Sequence, residues 1–356
     1  MTRYGVIMAG GGGTRFWPLS RQKTPKQLLN LSGNGLMINE TIDRVSGIID
    51  TNDIFIVTNE AQGDKMRASV QGKIPLNHIL VEPTARNTSA CIGYAAEEIV
   101  KKYGDGIMCI FPADHFIKYN SEFHKVLNMA IDVAEKEDKL VTIGIKPTFP
   151  STGYGYINYN QSTSDKIYEV NQFIEKPNYE TAKQFVENPG YAWNSGMFIW
   201  KASTILKKFD RFLPKVYQNL ERIGEAMGTD DEQSMIKALY KQIPSISIDY
   251  GIMERADDVV VVLGDFGWND VGSWDSLGTL YDVDEAGNII KGQQVNIATR
   301  NSICYAENRL IATIGVENMI IVETEDAVLV CRKDKAQSVK EVVDRLKEKG
   351  MEQYLV

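Results

Sequence analysis

Strand-length apolar runs and helical stripes alternate from the start of the chain to Ile145, and that alternation leaves few folds open. Apolar runs at Tyr4–Met8, Ile54–Thr58, His78–Val81, Ile107–Phe111 and Leu140–Ile145 are separated by segments of 3.6-residue periodicity. These helical segments are Met37–Ile48, Gln62–Val70, Thr88–Lys102 and Ser121–Lys136. Strands that are apolar along their whole length are buried on both faces, so the pattern predicts an α/β chain whose mostly parallel sheet is flanked by helices. Ligands of such sheets bind beyond the carboxyl ends of the strands. The residues that follow strands are therefore the candidates for chemistry.

From Ser151 to Trp200 the sequence turns Gly- and aromatic-rich, which reads as an insertion lining one side of that crevice. Helical patterns resume at Ser203–Phe209, Pro214–Met227 and Asp231–Leu239, and a last long apolar run, Val259–Leu263, leads into Gly264–Trp274. Past Leu280 the rhythm shortens to small strands at Val295–Ala298, Ser302–Tyr305, Leu310–Ile314, Met319–Glu323 and Ala327–Arg332, closed by an amphipathic helix, Ala336–Lys349, that stops at Gly350. The reading is a Rossmann-like α/β domain over 1–282 and a small β-rich C-terminal domain over 283–356 ending in a helix. The close repeats at Ile289–Tyr305 are compatible with a short left-handed β-helix, although two turns are too few to settle a solenoid.

Composition narrows the function classes. No apolar stretch approaches the ~20 residues of a membrane-spanning helix, and Met1–Met8 runs straight into a strand without the pattern of a signal peptide. A cytoplasmic protein with no membrane partner is expected. The four cysteines, Cys91, Cys109, Cys304 and Cys331, form no CxxC pair and read as free thiols. A net charge of −8 with no basic block argues against a nucleic-acid partner.

The clearest chemical signal follows the first strand: Ala9-Gly10-Gly11-Gly12-Gly13-Thr14-Arg15, then Phe16-Trp17-Pro18-Leu19-Ser20 and Thr24-Pro25-Lys26-Gln27. Consecutive glycines let backbone N–H groups approach an anion with no Cβ in the way. The spacing is neither GxGxxG, since Arg15 occupies the third glycine's place, nor GxxxxGK[ST]. Arg15 and Lys26 add the positive charge that a reacting triphosphate needs. Asp114 follows the run Ile107–Phe111 and Asp270 follows Val259–Leu263, so one crevice would bring both carboxylates to a divalent cation. His115 is an obvious candidate base but reads as structural, because a sugar phosphate already carries most of its charge at neutral pH.

Gly-Gly-x-Gly-Thr-Arg followed by Pro-Lys-Gln resembles the signature of the nucleotide-sugar pyrophosphorylases, and Phe16-Trp17-Pro18-Leu19-Ser20 resembles their mannose-1-phosphate guanylyltransferase branch. The resemblance implies that Ala9, Gly10, Gly11, Gly13, Thr14 and Arg15 hold the nucleotide, with Pro83, Arg86 and Asn87 bordering the nucleoside. It makes Arg15 and Lys26 the catalytic charges and Asp114 and Asp270 the ligands of Mg²⁺ or another divalent cation. Gly155, Glu175, Lys176, Asn194 and Gly196 match the sugar-phosphate side. Tyr154 and Trp193 are placed for either sugar packing or core filling. The implied reaction joins GTP and mannose 1-phosphate into GDP-mannose and diphosphate, in a homodimer. Relatives that carry an added isomerase domain need more chain than follows residue 282, so a single activity is expected. The rival readings are a nucleotidyltransferase for another base or sugar and a silent sugar-nucleotide sensor. A sensor should have lost the charged centre, and a dehydrogenase fails on the fingerprint.

Overall fold

The computed structural model describes residues 1–161 and 166–356. Its main sheet is built from β1 (Arg3–Met8), β2 (Ile54–Asn59), β3 (Ile79–Glu82) and β4 (Ile107–Pro112), then, past a two-residue β5 (Phe116–Ile117), from β6 (Leu140–Ile145), β7 (Tyr156–Tyr159), β8 (Ile167–Ile174), β9 (Tyr191–Lys201) and β10 (Val259–Gly264). A short β11 (Trp268–Asn269) follows. The spatial order is β3-β2-β1-β4-β9-β6-β10-β8-β7. Strands β1–β4, β6, β7 and β10 share one direction while β8 and β9 oppose it, so the sheet is mostly parallel with an antiparallel strand at its centre.

Neighbouring residues in the parallel strands feed opposite cores, which is why the runs are apolar without a break. Ile107, Cys109 and Phe111 enter one core with helices α1 (Met37–Val45), α2 (Gly63–Ser69) and α4 (Asn120–Lys136). Met108 and Ile110 enter the other, with α3 (Asn87–Lys102), α6 (Ala202–Phe212), α7 (Pro214–Ala226) and α8 (Glu232–Tyr240). Helix α5 (Tyr179–Glu187) joins the first core through Ala182 and Phe185. Cys91, Cys109 and Cys304 are buried free thiols, and Cys331 is free and half-buried.

The expectation of an insertion from 151 to 200 holds for β7, β8 and α5 but not for β9. The second half of β9 lies between β4 and β6 at the middle of the sheet, and its first half pairs with β7. The polar trio Asn194-Ser195-Gly196 hides this strand. Ser195 Oγ donates to the Ile143 carbonyl at 2.6 Å, Gly196 sits at φ 70°, and the register with β6 shifts between Thr142 and Gly144. A bulge absorbs the irregular residues and turns Asn194 toward the crevice.

The tail coils through β12 (Ile289–Lys291), β13 (Gln294–Ile297), β14 (Ile303–Ala306), β15 (Ile311–Ile314) and β16 (Met319–Glu323), with β17 (Val328–Arg332) and α9 (Val339–Glu348) closing it. β12, β14 and β16 stack in parallel, β13 stacks on β15, and Arg300 bridges Glu317. That is a short three-sided β-helix. Gly292 turns one corner at φ 81°, where a Cβ would lie 2.0 Å from the Ala306 carbonyl oxygen. The tail is cemented to the loop after β1: Trp17 Nε1 donates to the Tyr354 carbonyl at 2.9 Å, and Phe16, Trp17 and Trp274 share a core with Ile303, Ile320 and Val339.

Candidate active site

Two cavities of about 500 and 320 Å³ open beyond the carboxyl ends of β1, β3 and β4, and Asp114, His115 and Asp270 form the wall between them. Ala9, Gly10, Gly11, Arg86, Asn87, Gly155, Glu175, Lys176, Asn194 and Gly196 line the larger. Gly13, Thr14, Arg15 and Lys26 line the smaller. Of the nucleotide, metal and sugar-phosphate residues inferred from sequence, Pro83 alone lines neither.

Four side chains hold the glycine loop by its carbonyls. Gln27 donates to Ala9 O at 2.7 Å and Gly11 O at 3.1 Å, Thr58 to Ala9 O at 3.1 Å, Asn59 to Gly10 O at 3.1 Å and Gln62 to Gly11 O at 3.3 Å. With its acceptors engaged from behind, the loop turns N–H groups toward the cavities. Gly13 stands at φ 57°, and a Cβ there would lie 2.4 Å from Lys26 Cβ. Glycine is required so that Lys26 can pass beneath the loop.

The strands that precede the two aspartates, β4 and β10, are not neighbours: β9 and β6 lie between them. The small ribbon of β5 with β11 closes the gap: Asn269 pairs with Phe116, which brings Asp270 to Asp114. Lys26 ties the two loops, donating to Asp270 O at 2.6 Å and pairing with Asp114 Oδ2 at 2.9 Å. Burial pushes the Asp114 carboxyl up, but the charge and hydrogen bond of Lys26 outweigh it and hold the group below the usual aspartate range. Tyr154 Oη donates to Asp270 Oδ1 at 2.7 Å. Val271, a β-branched residue at φ 48°, follows directly. Such strain, costing ~1–3 kcal/mol, persists where the surroundings fix it and gathers at functional sites.

The neighbours of His115 settle its chemistry. The Trp268 indole N–H, a donor only, points at His115 Nδ1 from 3.1 Å. Nδ1 must therefore accept, leaving the proton on Nε2. Burial drives the imidazole down to about 4, against the opposing pull of Asp114. A ring with Nδ1 engaged and Nε2 protonated has no lone pair free to act as a base, in agreement with the structural reading from sequence.

The far side of the larger cavity is a network of short polar contacts. Asn194 Nδ2 donates to Asp249 Oδ1 at 2.8 Å, Gly196 N donates to Asn194 Oδ1 at 3.1 Å, and Lys176 pairs with Glu175 at 2.9 Å. A Cβ on Gly155 would meet Glu175 Oε2 at 2.4 Å, so this glycine permits the approach. Burial and the neighbouring Glu175 raise Asp249 to about 6. Trp193 is core, 4% exposed, and packs edge-on against Tyr154. Helix α3 opens at Asn87, whose Oδ1 accepts from Thr88 N at 2.8 Å while Ser89 N donates to the Ile246 carbonyl at 3.3 Å, and Asn87 and Thr88 line the cavity. The Arg86 guanidinium donates to the Lys241 carbonyl.

Sequence reasoning passed over Glu82, Asp249 and the loop-holding Gln27, Asn59 and Gln62. Glu82 is 5% exposed, takes a 2.5 Å hydrogen bond from Tyr240 and lines the larger cavity. Burial raises it to about 7, against the pull of the Tyr240 bond. A carboxylate at the end of β3 gave the same signal as Asp114, position after an apolar run, and could have been found by it.

The fold and the glycine loop are those of a nucleotidyltransferase: the nucleotidyl transferase family profile matches residues 4–286, and the chain belongs to that family. The profile of the MannoseP isomerase/GMP-like beta-helix domain matches residues 292–346. Among relatives, a mannose-1-phosphate guanylyltransferase of Escherichia coli is 38% identical over 357 residues, covering 98% of this chain and 76% of its own length. A mannose-1-phosphate guanylyltransferase of Klebsiella pneumoniae is 37% identical, over 98% of this chain and 75% of its own. A crystal structure from Thermus thermophilus, described as a mannose-1-phosphate geranyltransferase, superposes with a TM-score of 0.89 at 33% identity, covering 98% of this chain and 100% of its own.

Proposed function

We propose that this chain is a mannose-1-phosphate guanylyltransferase, joining GTP and mannose 1-phosphate into GDP-mannose with release of diphosphate. The observation that carries the reading is the junction of two cavities at Asp114, His115 and Asp270, with the glycine loop running along both. The α-phosphate belongs at that junction. The nucleoside then lies in the larger cavity toward Glu82 and the start of α3, the sugar phosphate toward Glu175 and Asn194, and the β- and γ-phosphates in the smaller cavity beside Arg15.

Asp114 and Asp270 suit a hard divalent cation. Lys26 occupies one oxygen of Asp114 and Tyr154 one of Asp270, which leaves each carboxylate a second oxygen. Among the described residues no group of three or more acidic, His or Cys side chains forms a closed metal cage. Two carboxylates completed by water and substrate phosphates are the usual surroundings of Mg²⁺, which when bound neutralises phosphate charge. An oxygen of mannose 1-phosphate attacks the α-phosphorus as the bond to the β-phosphate oxygen breaks, and diphosphate leaves. Loop N–H groups fix the line of attack, and Lys26 and Arg15 oppose the developing charge. No proton needs to be removed.

Among the described residues no helix is long and apolar enough to cross a membrane, and a cytoplasmic enzyme belongs to the same proposal, as does the division of the chain near residue 282. A homodimer is supported by the outward apolar row on β13 and β15: Val295, Ile297 and Ile314 are 51%, 54% and 75% exposed.

The test is diphosphate release with Mg²⁺, crossing GTP, ATP, UTP and dTTP against mannose 1-phosphate and glucose 1-phosphate. Release chiefly with GTP and mannose 1-phosphate is expected. Another favoured pair overturns the specificity, and none overturns the enzyme.

A further inference from the structure

The C-terminal tail reaches into the phosphate end of the site. Lys340, in the first turn of α9, lines the smaller cavity with Gly13, Thr14, Arg15 and Lys26. Of the three cations there, Lys26 is taken up by Asp114 and by the Asp270 carbonyl. Arg15 and Lys340 have no ion-pair partner among the described residues. Two cations without an ion-pair partner among the described residues, one from each end of the chain, therefore face this cavity.

The backbone beneath Lys340 is held firmly. Val339 and Ala336, each 2% exposed, sit in the core shared with Phe16, Trp17 and Trp274. Gln337 Nε2 donates to Ser273 Oγ at 2.7 Å, one residue from Gly272, which lines the same cavity. The Lys340 side chain itself is exposed on this fixed base. A hydrated point charge on a flexible stem suits an anion that must be bound and then released.

We propose that Lys340 is a ligand of the diphosphate group, so that the tail completes the active site at its β,γ-phosphate end. The assignment rests on the proposed function, which puts those phosphates in the smaller cavity. It makes the C-terminal domain part of the catalytic apparatus: the tail that buries Trp17 also delivers a substrate contact.

Titration of inorganic diphosphate in the presence of Mg²⁺ by calorimetry tests this without relying on turnover. Lys340→Ala should weaken diphosphate binding about tenfold, the usual size of one charge-assisted contact. Lys340→Arg should keep most of the affinity, and Lys349→Ala, a control for net charge just past the end of the same helix, should leave it unchanged. In turnover assays Lys340→Ala should raise the KM for GTP about tenfold and that for mannose 1-phosphate less than about twofold. Equal affinity of wild type and Lys340→Ala for diphosphate overturns the proposal. So does an equal loss in Lys349→Ala, an equal rise in both KM values, or a wild type that does not bind diphosphate. Wild type that binds diphosphate through Lys340 but turns over no GTP with mannose 1-phosphate removes the substrate reading and upholds the contact.

Discussion

Replacing Lys26 with methionine removes one charge and keeps the stem that packs beneath the glycine loop. The ammonium is bonded to both aspartate loops, at 2.9 Å to Asp114 Oδ2 and 2.6 Å to Asp270 O. Removing one preorganised donor from a reacting phosphoryl group costs ~2.7–4 kcal/mol of transition-state stabilisation, or about 10²–10³ in kcat. The variant should also be less stable. A fully buried ion pair broken on one side costs ~3–5 kcal/mol. The Lys26 side chain is 5% exposed but Asp114 is 33% exposed, and water reaching that carboxylate should reduce the loss to ~1–3 kcal/mol. The sign with pH follows from Asp114, which Lys26 holds below its unfolded value. Its contribution is complete above the ordinary aspartate range and is lost as pH falls through the lowered folded value, so wild type and variant should differ in stability at neutral pH and converge only in acid below the ordinary aspartate range. Diphosphate release at saturating GTP and mannose 1-phosphate, with thermal unfolding at several pH values, measures both effects. Turnover within about threefold of wild type by a folded variant would refute the role given to this charge.

Gly13→Ala should lower kcat/KM at least about tenfold with little change in circular dichroism, because a Cβ at φ 57° would lie 2.4 Å from Lys26 Cβ and must displace either loop or lysine. Tyr154→Phe, which strips Asp270 Oδ1 of its 2.7 Å donor, should weaken activation by Mg²⁺ about 10- to 100-fold, read from the metal dependence of turnover after chelation and readdition. Glu82, raised by burial from 4.5 to about 7, binds a proton more tightly in the folded than in the unfolded chain, so its stability contribution is full below pH 4.5 and is lost as pH rises to about 7. Glu82→Gln should flatten denaturant-measured stability across that window by ~1–3 kcal/mol, and an unchanged slope would count against the buried carboxyl.

Much of the fold was legible in the sequence because local chemistry enforces it. Parallel strands buried on both faces must be apolar throughout, so β1, β2, β4, β6 and β10 announced themselves, and the spacing of short strands after Leu280 revealed a β-rich tail. The glycine loop was legible as a candidate site for a similar reason: four glycines followed by Thr14 and Arg15 directly after a strand mark a backbone that something must approach closely, and the loop lines both cavities. The polar middle of β9 concealed a central strand, since Asn194, Ser195 and Gly196 are tolerable there only because β6 and the crevice satisfy them. Tertiary structure alone decided that the loops after β4 and β10, separated by two strands, meet through the β5–β11 ribbon. It also decided that Trp268 fixes the proton on His115 and that the tail delivers Lys340 to the cavity lined by Gly13, Thr14 and Arg15. A sequence declares the residue types that a local environment demands; which distant side chains share a cavity depends on strand order and packing, which no local pattern encodes.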